Sequence, residues 1–350
     1  MERDQFYMQR CIQLAKMAIG YVQPNPMVGA VLVYNDTIIG EGYHRQYGGP
    51  HAEVNCLNSV AEEHRQLISK STLYVSLEPC SHYGKTPPCS LLILQHQIPK
   101  VVIGMQDPFA AVNGKGIELL KNAGVEVFTG VLDKACSKLN KRFITFYTKK
   151  RPYIILKWAQ TANGFIAAHS GERTFITNAL TNRLVHQWRS EEAAILIGEN
   201  TALNDDPELN NRYWPGAAQP LRMVIDAHCT LPDTLKIFSD DNSTIVWNST
   251  TNATKGRVEY IQWKDNLSVI PAILQACYEK NMQSILVEGG AVVLQQFIDA
   301  GLWDETRIIT NTIMCLKNGL PAPRLTGATL KDAANIQNDF IQYFIPAEHE

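Results

Sequence analysis

His51-Ala-Glu53 and Glu78-Pro-Cys-Ser-His-Tyr-Gly-Lys-Thr-Pro-Pro-Cys89 place one imidazole, two thiols and a carboxylate within residues 51–89 of a 350-residue chain. Gly48-Gly49-Pro50 precedes His51, so the imidazole stands at the start of a helix expected over residues 51–63, and Glu53 faces the same side two residues on. Residues 72–77 read as a buried strand that runs directly into Cys80. Pro88 opens the next helix, expected to reach residue 96, with Cys89 in its first turn. A neutral imidazole and two thiolates make three zinc ligands and leave a fourth position for water, the open arrangement that separates catalytic from structural zinc.

Working outward, the same alternation of strands and helices continues. Phe6, Ile12, Leu14, Ala15, Met17, Ala18 and Ile19 give residues 5–20 an amphipathic helical spacing, broken at Asn25-Pro26. Strands are expected at 28–34, 38–43, 101–105 and 125–128, and helices at 114–123 and 133–146. The basic, proline-bearing stretch Thr148-Lys-Lys-Arg-Pro152 marks a boundary between domains 1–147 and 148–350. Beyond it, strands are expected at 153–157, 193–198, 221–226, 285–288 and 305–314, and helices at 180–190 and 291–300. Both halves therefore read as layered α/β.

Composition narrows the function classes. Hydrophobic residues make up 45% and charged residues 19%, the balance of a soluble globular protein. No apolar run reaches the ~18 residues of a membrane span, and the polar N-terminus lacks a secretory pattern, so a cytoplasmic location is expected. A net charge of -2 argues against a general nucleic-acid binder and leaves a small phosphorylated substrate open. With eight cysteines in such a chain, disulfides are not expected; Cys56, on the His51 helix, reads as a core residue.

The carboxylate two residues after the imidazole completes the set used by zinc deaminases, where the metal activates water and the glutamate moves protons without binding metal. Such a site replaces an amino group on an unsaturated ring carbon by oxygen. The general signature spaces its cysteines as P-C-x-x-C, whereas eight residues, 81–88, intervene here. A structural zinc site or ordinary core residues are the alternative readings of the pattern.

Asn25-Pro-Met-Val-Gly29, His51-Ala-Glu-Val54, the Leu77–Cys89 segment, Asp107-Pro-Phe109 and Asn113-Gly-Lys-Gly-Ile117 closely resemble the bifunctional deaminase–reductase family of riboflavin biosynthesis. The long spacing between Cys80 and Cys89 is that family's own. The resemblance implies a cytidine-deaminase-like three-layer α/β/α first domain, His51, Cys80 and Cys89 as zinc ligands and Glu53 as proton shuttle. It makes Asn25, His44, His82 and Lys85 candidate substrate contacts; the alternative for each is a surface or turn residue.

In the second half, Arg151–Gly164, Gly171–Thr177, His186-Gln-Trp-Arg189, Gly198–Leu209 and Val287-Glu-Gly-Gly290 resemble the reductase domain of the same family. A dihydrofolate-reductase-like α/β domain is implied, and no G-x-G-x-x-G follows a strand. By this resemblance Ala159, Phe175, Thr201, Asp205 and Gly290 fall on contacts to NADPH, and Arg173, Arg189, Leu209, Arg212 and Glu288 on substrate contacts. Three of these, Arg173, Arg189 and Arg212, have the chemistry of a phosphate clamp. Lys157, a strand lysine among apolar residues, is a candidate proton donor or ribose anchor. Departures are Thr161-Ala-Asn-Gly164 for the family's S-L-D-G, Phe175-Ile-Thr177 for W-I-T, Arg173 for a small hydroxyl residue, and an altered segment 311–324.

The expectation is thus a cytoplasmic homo-oligomer, dimer or tetramer, that binds Zn2+ and NADPH. It would deaminate a diaminopyrimidine ribosylamine phosphate and reduce the ribosyl side chain to ribityl, without nucleic-acid or membrane partners. Three rivals remain at this stage: a nucleic-acid editing deaminase, a zinc-stabilised binding module, and a working deaminase with a decayed reductase.

Overall fold

Successive residues of a strand point to opposite faces of its sheet, and in Gly29–Tyr34 both sets are apolar and buried. Such a strand needs cover on both sides, and it has it. Ala30 and Leu32 pack with Cys56, Leu57, Ile93 and Leu120 on one face. Val31 and Val33 pack with Met8, Cys11, Ile12 and Cys136 on the other. The computed structural model describes residues 2–83, 87–109, 113–168, 174–239, 241–263 and 268–347. They form two compact units, Met1–Lys150 and Arg151–Glu350.

The first unit runs α1 (Glu2–Lys16), β1 (Gly29–Tyr34), β2 (Thr37–Tyr43), α2 (Ala52–Asn58), a 3-10 helix (Glu62–Lys70), β3 (Thr72–Leu77), α3 (Cys89–Gln95), β4 (Lys100–Met105), α4 (Lys115–Asn122), β5 (Glu126–Thr129), α5 (Asp133–Leu139) and α6 (Lys141–Lys149). Its sheet has the order β2-β1-β3-β4-β5. β1 is antiparallel to both neighbours, while β3, β4 and β5 are parallel. Helices α1 and α5 cover one face and α2, α3 and α4 the other, giving three layers.

The second unit runs β6 (Tyr153–Thr161), β7 (Phe165–Ala168), α7 (Ala179–Glu191), β8 (Ala194–Gly198), α8 (Glu199–Asp205), β9 (Leu221–Ile225), α9 (Lys236–Ser239), β10 (Thr244–Asn248), β11 (Ala253–Lys255), β12 (Val258–Gln262), α10 (Val269–Glu279), β13 (Ser284–Val287), α11 (Ala291–Asp299), β14 (Glu305–Asn311), β15 (Gly319–Pro321), β16 (Ala328–Ile336) and β17 (Asp339–Pro346). Ten strands form one sheet, β11-β12-β10-β9-β8-β13-β6-β14-β17-β16. Its centre from β12 to β14 is parallel, and its innermost strands β8 and β13 are buried on both faces. Helices α10 and α11 cover one face, and α7, α8 and α9 the other.

Two expected helices differ in the structure. The helix starting after His51 stops at Asn58, and a separate 3-10 helix runs from Glu62 to Lys70. The segment expected as one helix over 133–146 is two, α5 and α6, parted at Asn140. Asn140 is buried, and its side chain serves Met27 on both sides. It accepts from the Met27 amide at 2.8 Å and donates to the Met27 carbonyl at 2.9 Å. α6 then runs on to Lys149, and Lys150 turns left-handed with φ 53°. The strands β10, β12, β16 and β17 and helix α10 were not expected from the sequence.

Replacing Asn140 with Ala leaves two buried Met27 groups unpaired. It is expected to cost the first unit about 2–3 kcal/mol. In urea unfolding of the full chain, the transition of the first unit should come earlier and that of the second should not move. A first transition as late as the parent's would show that water replaces the amide at no cost.

Candidate active sites

Three element ends bring the metal-type donors of the first unit together. His51 is the N-cap of α2, Cys80 follows the end of β3, and Cys89 opens α3. The His51 Nδ1 lies 3.6 Å from Cys80 Sγ and 3.3 Å from Cys89 Sγ. All three donor atoms lie within 4.8 Å of one another. Zinc–nitrogen and zinc–sulfur bonds of ~2.0 and ~2.3 Å at a tetrahedral angle put N and S about 3.5 Å apart, so the donor set fits zinc. The Cys89 amide donates to Cys80 Sγ at 3.3 Å. The hydrogen bond from the Cys89 thiol, then the His51 side chain and the Cys89 amide, hold the Cys80 thiol well below its usual range against the cost of burial. Cys89, facing that thiolate, is pushed up.

Glu53 lines the same cavity of about 320 Å³ as His51 and Cys80. It is 3% exposed, and burial pushes its carboxyl up. Asn25, His44 and His82 also line that cavity. His44 Nδ1 donates to the Pro50 carbonyl at 2.9 Å, which leaves Nε2 to accept from Asn25 Nδ2 at 3.0 Å. Burial, with nearby His51, lowers the His44 pKa despite the bond to Pro50, in keeping with that neutral tautomer. The amide nitrogen of Asn25 is engaged, and its carbonyl oxygen is the acceptor remaining for a ligand. Lys85 lies outside the described residues. Cys56 is fully buried in the core, as expected.

Sequence reading passed over several lining residues. Asp107 was quoted in a motif without a role. It is buried, accepts from the Phe109 amide at 2.8 Å, and is pushed up to about 6 by burial, with the Glu78 charge adding. Phe109, Phe143 and Tyr147 form an aromatic wall, with Tyr147 centred 4.7 Å from each of the other two. Phe143 and Tyr147 lie on α6, and only a helical i, i+4 spacing of aromatics marked them.

In the second unit the parallel pairing of β13 with β6 sets Val287 opposite Leu156. The next residues, Glu288 and Lys157, thereby meet, with Nζ 3.6 Å from Oε2. Arg189 of α7 grips the same carboxylate with Nε at 2.6 Å and a terminal nitrogen at 2.8 Å. Burial opposes charge on Glu288, but Arg189 and Lys157 prevail and hold it down to about 2. Burial lowers Lys157 more than Glu288 raises it. Asn210 links the other arginine to this group: its carbonyl accepts from Arg189 at 3.2 Å and its Oδ1 from Arg212 at 2.9 Å. The Arg212 amide donates to His186 Nδ1 at 3.1 Å, and burial holds His186 down to about 4.

The remaining expected residues divide. Gly289 has φ 156°, and Gly290 caps α11. A Cβ on Gly289 would meet Thr201 Oγ1 at 3.2 Å, and one on Gly290 would meet it at 3.1 Å. That close, side-chain-free turn at a helix start is a cradle suited to a phosphate or ribose, so the residues fit a nucleotide cofactor. Asp205 ends α8 and its charge is felt at Lys157, while Ala159 follows Lys157 on β6. Leu209 instead buries its side chain among Ile197, Ala202 and Val224, with φ 48°. Phe175 is 75% exposed. Arg173 lies outside the described residues.

A metal-donor pocket with a buried glutamate, followed by a doubly covered parallel sheet with a glycine cradle, defines a zinc-deaminase-type domain joined to a reductase-type domain. Residues 1–105 match the cytidine and deoxycytidylate deaminase zinc-binding region, and residues 152–319 the RibD C-terminal domain. The riboflavin biosynthesis protein RibD of Aquifex aeolicus is 39% identical over 310 residues, covering 87% of this chain and 85% of that protein. That of Bacillus amyloliquefaciens is 36% identical over 352 residues, covering 95% and 92%. The crystal structure of a diaminohydroxyphosphoribosylaminopyrimidine deaminase/5-amino-6-(5-phosphoribosylamino)uracil reductase from Thermotoga maritima superposes with a TM-score of 0.91 at 35% identity, covering 99% of both chains. Acinetobacter baumannii RibD gives 0.90 at 32% identity, again over 99% of both. The chain belongs to the RibD family of riboflavin-biosynthesis proteins, bifunctional enzymes with a deaminase and a reductase domain.

The Glu288 carboxylate gives a pH signature. Its folded value of about 2 lies below the ordinary ~4.3, so its ion pairs stabilise the second unit above that ordinary value. The stabilisation is lost as pH falls from there toward 2. Replacing Glu288 with Gln should flatten this part of the stability–pH curve of the second unit, measured by urea unfolding at stepped pH. An unchanged slope would mean that the carboxylate titrates in the folded protein as it does in the unfolded chain.

Proposed function

We propose that the first unit hydrolyses the amino group from a 2,5-diamino-6-(5-phosphoribosylamino)pyrimidin-4-one. The second unit then reduces the ribosyl chain of the product to ribityl with NADPH, giving 5-amino-6-(5-phosphoribitylamino)uracil. The observation that carries the reading is the meeting of the His51, Cys80 and Cys89 donor atoms at the cavity that His51, Cys80 and the buried Glu53 line. Bound zinc supplies the Lewis acidity that makes water a nucleophile near neutral pH.

His51 Nδ1, Cys80 Sγ and Cys89 Sγ would hold the metal, and no fourth protein donor joins them among the described residues. Glu53 takes the proton from the attacking water and passes it to the departing amino group; its buried carboxyl accepts a proton readily. Asn25 offers its carbonyl oxygen to a ring N–H or amino group, and His44 keeps that amide in orientation. The aromatic wall of Phe109 and Tyr147 gives a planar ring an apolar face to lie against. His82 lines the same cavity and is proposed to contact the substrate; the role proposed for Lys85 rests on the family resemblance.

In the second unit the nicotinamide supplies the hydride. The Gly289–Gly290 turn and Thr201 would hold the cofactor, with Ala159, Phe175 and Asp205 along its path. Lys157 donates the proton or anchors the ribose, its charge tuned by burial and by Glu288. Arg189, Arg212 and Glu288 would meet the phosphorylated substrate, with Leu209 contributing backbone; the role proposed for Arg173 rests on the family resemblance. The reading carries a homo-oligomer in the cytoplasm and no nucleic-acid substrate. Among the described residues no helix is long and apolar enough to cross a membrane.

The test is a paired assay on the zinc-loaded chain supplied with substrate and NADPH. Ammonia should appear first and nicotinamide absorbance should fall only after it. Glu53→Gln should cut ammonia release by about 10²–10⁴-fold with zinc retained. Lys157→Met should spare ammonia release and slow NADPH loss by at least about tenfold. Full ammonia release by Glu53→Gln, or NADPH loss that precedes deamination, would defeat the reading.

A further inference from the structure

Glu78 belongs to the turn that delivers Cys80, yet neither metal binding nor proton transfer uses it. It is 4% exposed and lines the cavity. Its carboxylate is filled by backbone donors. Oε2 accepts from Asp107 at 3.2 Å and Gly114 at 2.9 Å. Oε1 accepts from Gly116 at 3.0 Å and Ile117 at 3.4 Å. Gly116 and Ile117 lie in the first turn of α4, where amides have no partner within the helix and the dipole favours a negative charge. Four donors occupy the acceptor sites of one carboxylate, so Glu78 has nothing left to give a metal.

A second observation puts the same elements in close contact. A Cβ on Gly116 would sit 2.0 Å from the Pro79 carbonyl oxygen, so α4 presses directly on the turn. Cys80 is gripped from the other side by α3. Its carbonyl accepts from the Ser90 amide at 3.2 Å and the Ser90 hydroxyl at 3.0 Å, and its sulfur from the Cys89 amide. The ligand is thereby clamped between two helix starts.

We propose that Glu78 is a positioning residue for Cys80: by tying the Glu78-Pro79-Cys80 turn to the start of α4, it fixes the thiol against His51 and Cys89 and sets the affinity of the metal site. This inference rests on the metal reading of the three donors and extends it to their support. Outer groups that orient ligands commonly change metal affinity by about 10–100-fold.

The experiment uses the full chain with Glu78→Gln, which removes one acceptor oxygen and turns an NH2 toward backbone N–H groups. Zinc affinity is read by competition with a chromophoric chelator, and ligand geometry by the visible spectrum of the Co2+-substituted protein. NADPH oxidation on supplied deaminated intermediate reports the second unit. A roughly 10–100-fold weaker zinc affinity and a shifted cobalt spectrum, with NADPH oxidation unchanged, are expected. Parent-like affinity and spectrum in the folded variant would overturn the role of Glu78. Where Glu78→Gln fails to fold, Gly116→Ala decides, because it parts helix and turn and loosens the Gly116–Glu78 bond while the carboxylate itself stays in the chain; the same two readouts must move with it. Parent protein that takes up no zinc would remove the metal reading itself, a result distinct from an indifferent variant.

Discussion

Three donor atoms from three separate segments have to sit within 4.8 Å of one another, and much of the first unit follows from that demand. A side chain is held most firmly where an element starts or ends against a packed layer. His51, Cys80 and Cys89 all occupy such positions. The parallel run β3-β4-β5 requires crossover helices between its strands, so the strand end that carries Cys80 is flanked by helix starts. Hydrophobic burial on both faces of the sheet supplies the rigidity, and its alternating core residues are what keep the donors in register.

The second unit uses the same geometry for charge. Lys157, Arg189 and Glu288 are buried together, which costs desolvation that only mutual pairing offsets. Removal of Glu288 leaves both cations uncompensated, whereas removal of either cation leaves the other paired with it. The cluster is therefore an arrangement whose parts depend on one another, built where β6 and β13 run side by side and α7 crosses them. At Lys157 burial and Arg189 push the proton off while Glu288 and Asp205 hold it on, and burial prevails. A lysine so poised is one whose proton can be given up at modest cost.

The donors were legible because the motif residues are close in sequence and chemically unusual, and the core strands because their apolar runs are short and bounded by turn signals. What stayed hidden depends on distance along the chain. Glu78 meets its partners at residues 107–117 only through the fold. Asn140 breaks a helix pattern for the sake of Met27, 113 residues away, and nothing local announces it. The hairpin of β16 and β17 was missed because β16 is an edge strand exposed almost throughout, so its residues carry no alternation of burial to read. Glu288 was singled out through family resemblance and Lys157 as a strand lysine among apolar residues; their contact needed the β6–β13 register.

Two departures from the family pattern, Asn163 and the segment 311–324, turn out to be coupled. Asn163 Oδ1 accepts from the Thr161 hydroxyl at 2.8 Å and from the Leu316 amide at 3.2 Å, while Nδ2 donates to the Leu316 carbonyl at 2.7 Å. A carboxylate at that place accepts twice but donates nothing, so it would leave the Leu316 carbonyl without this partner. The amide closes both halves of the contact, in the manner of a strand pair, and the Ala162 amide adds a bond to Met314 at 2.8 Å. The substitution thus goes with the loop that follows β14 and holds it to the turn after β6. Lys157, earlier on β6, keeps its ion-pair partner Glu288. Asn163 thus fastens one loop of this unit, away from the ion pairs that Lys157 and Arg189 make with Glu288.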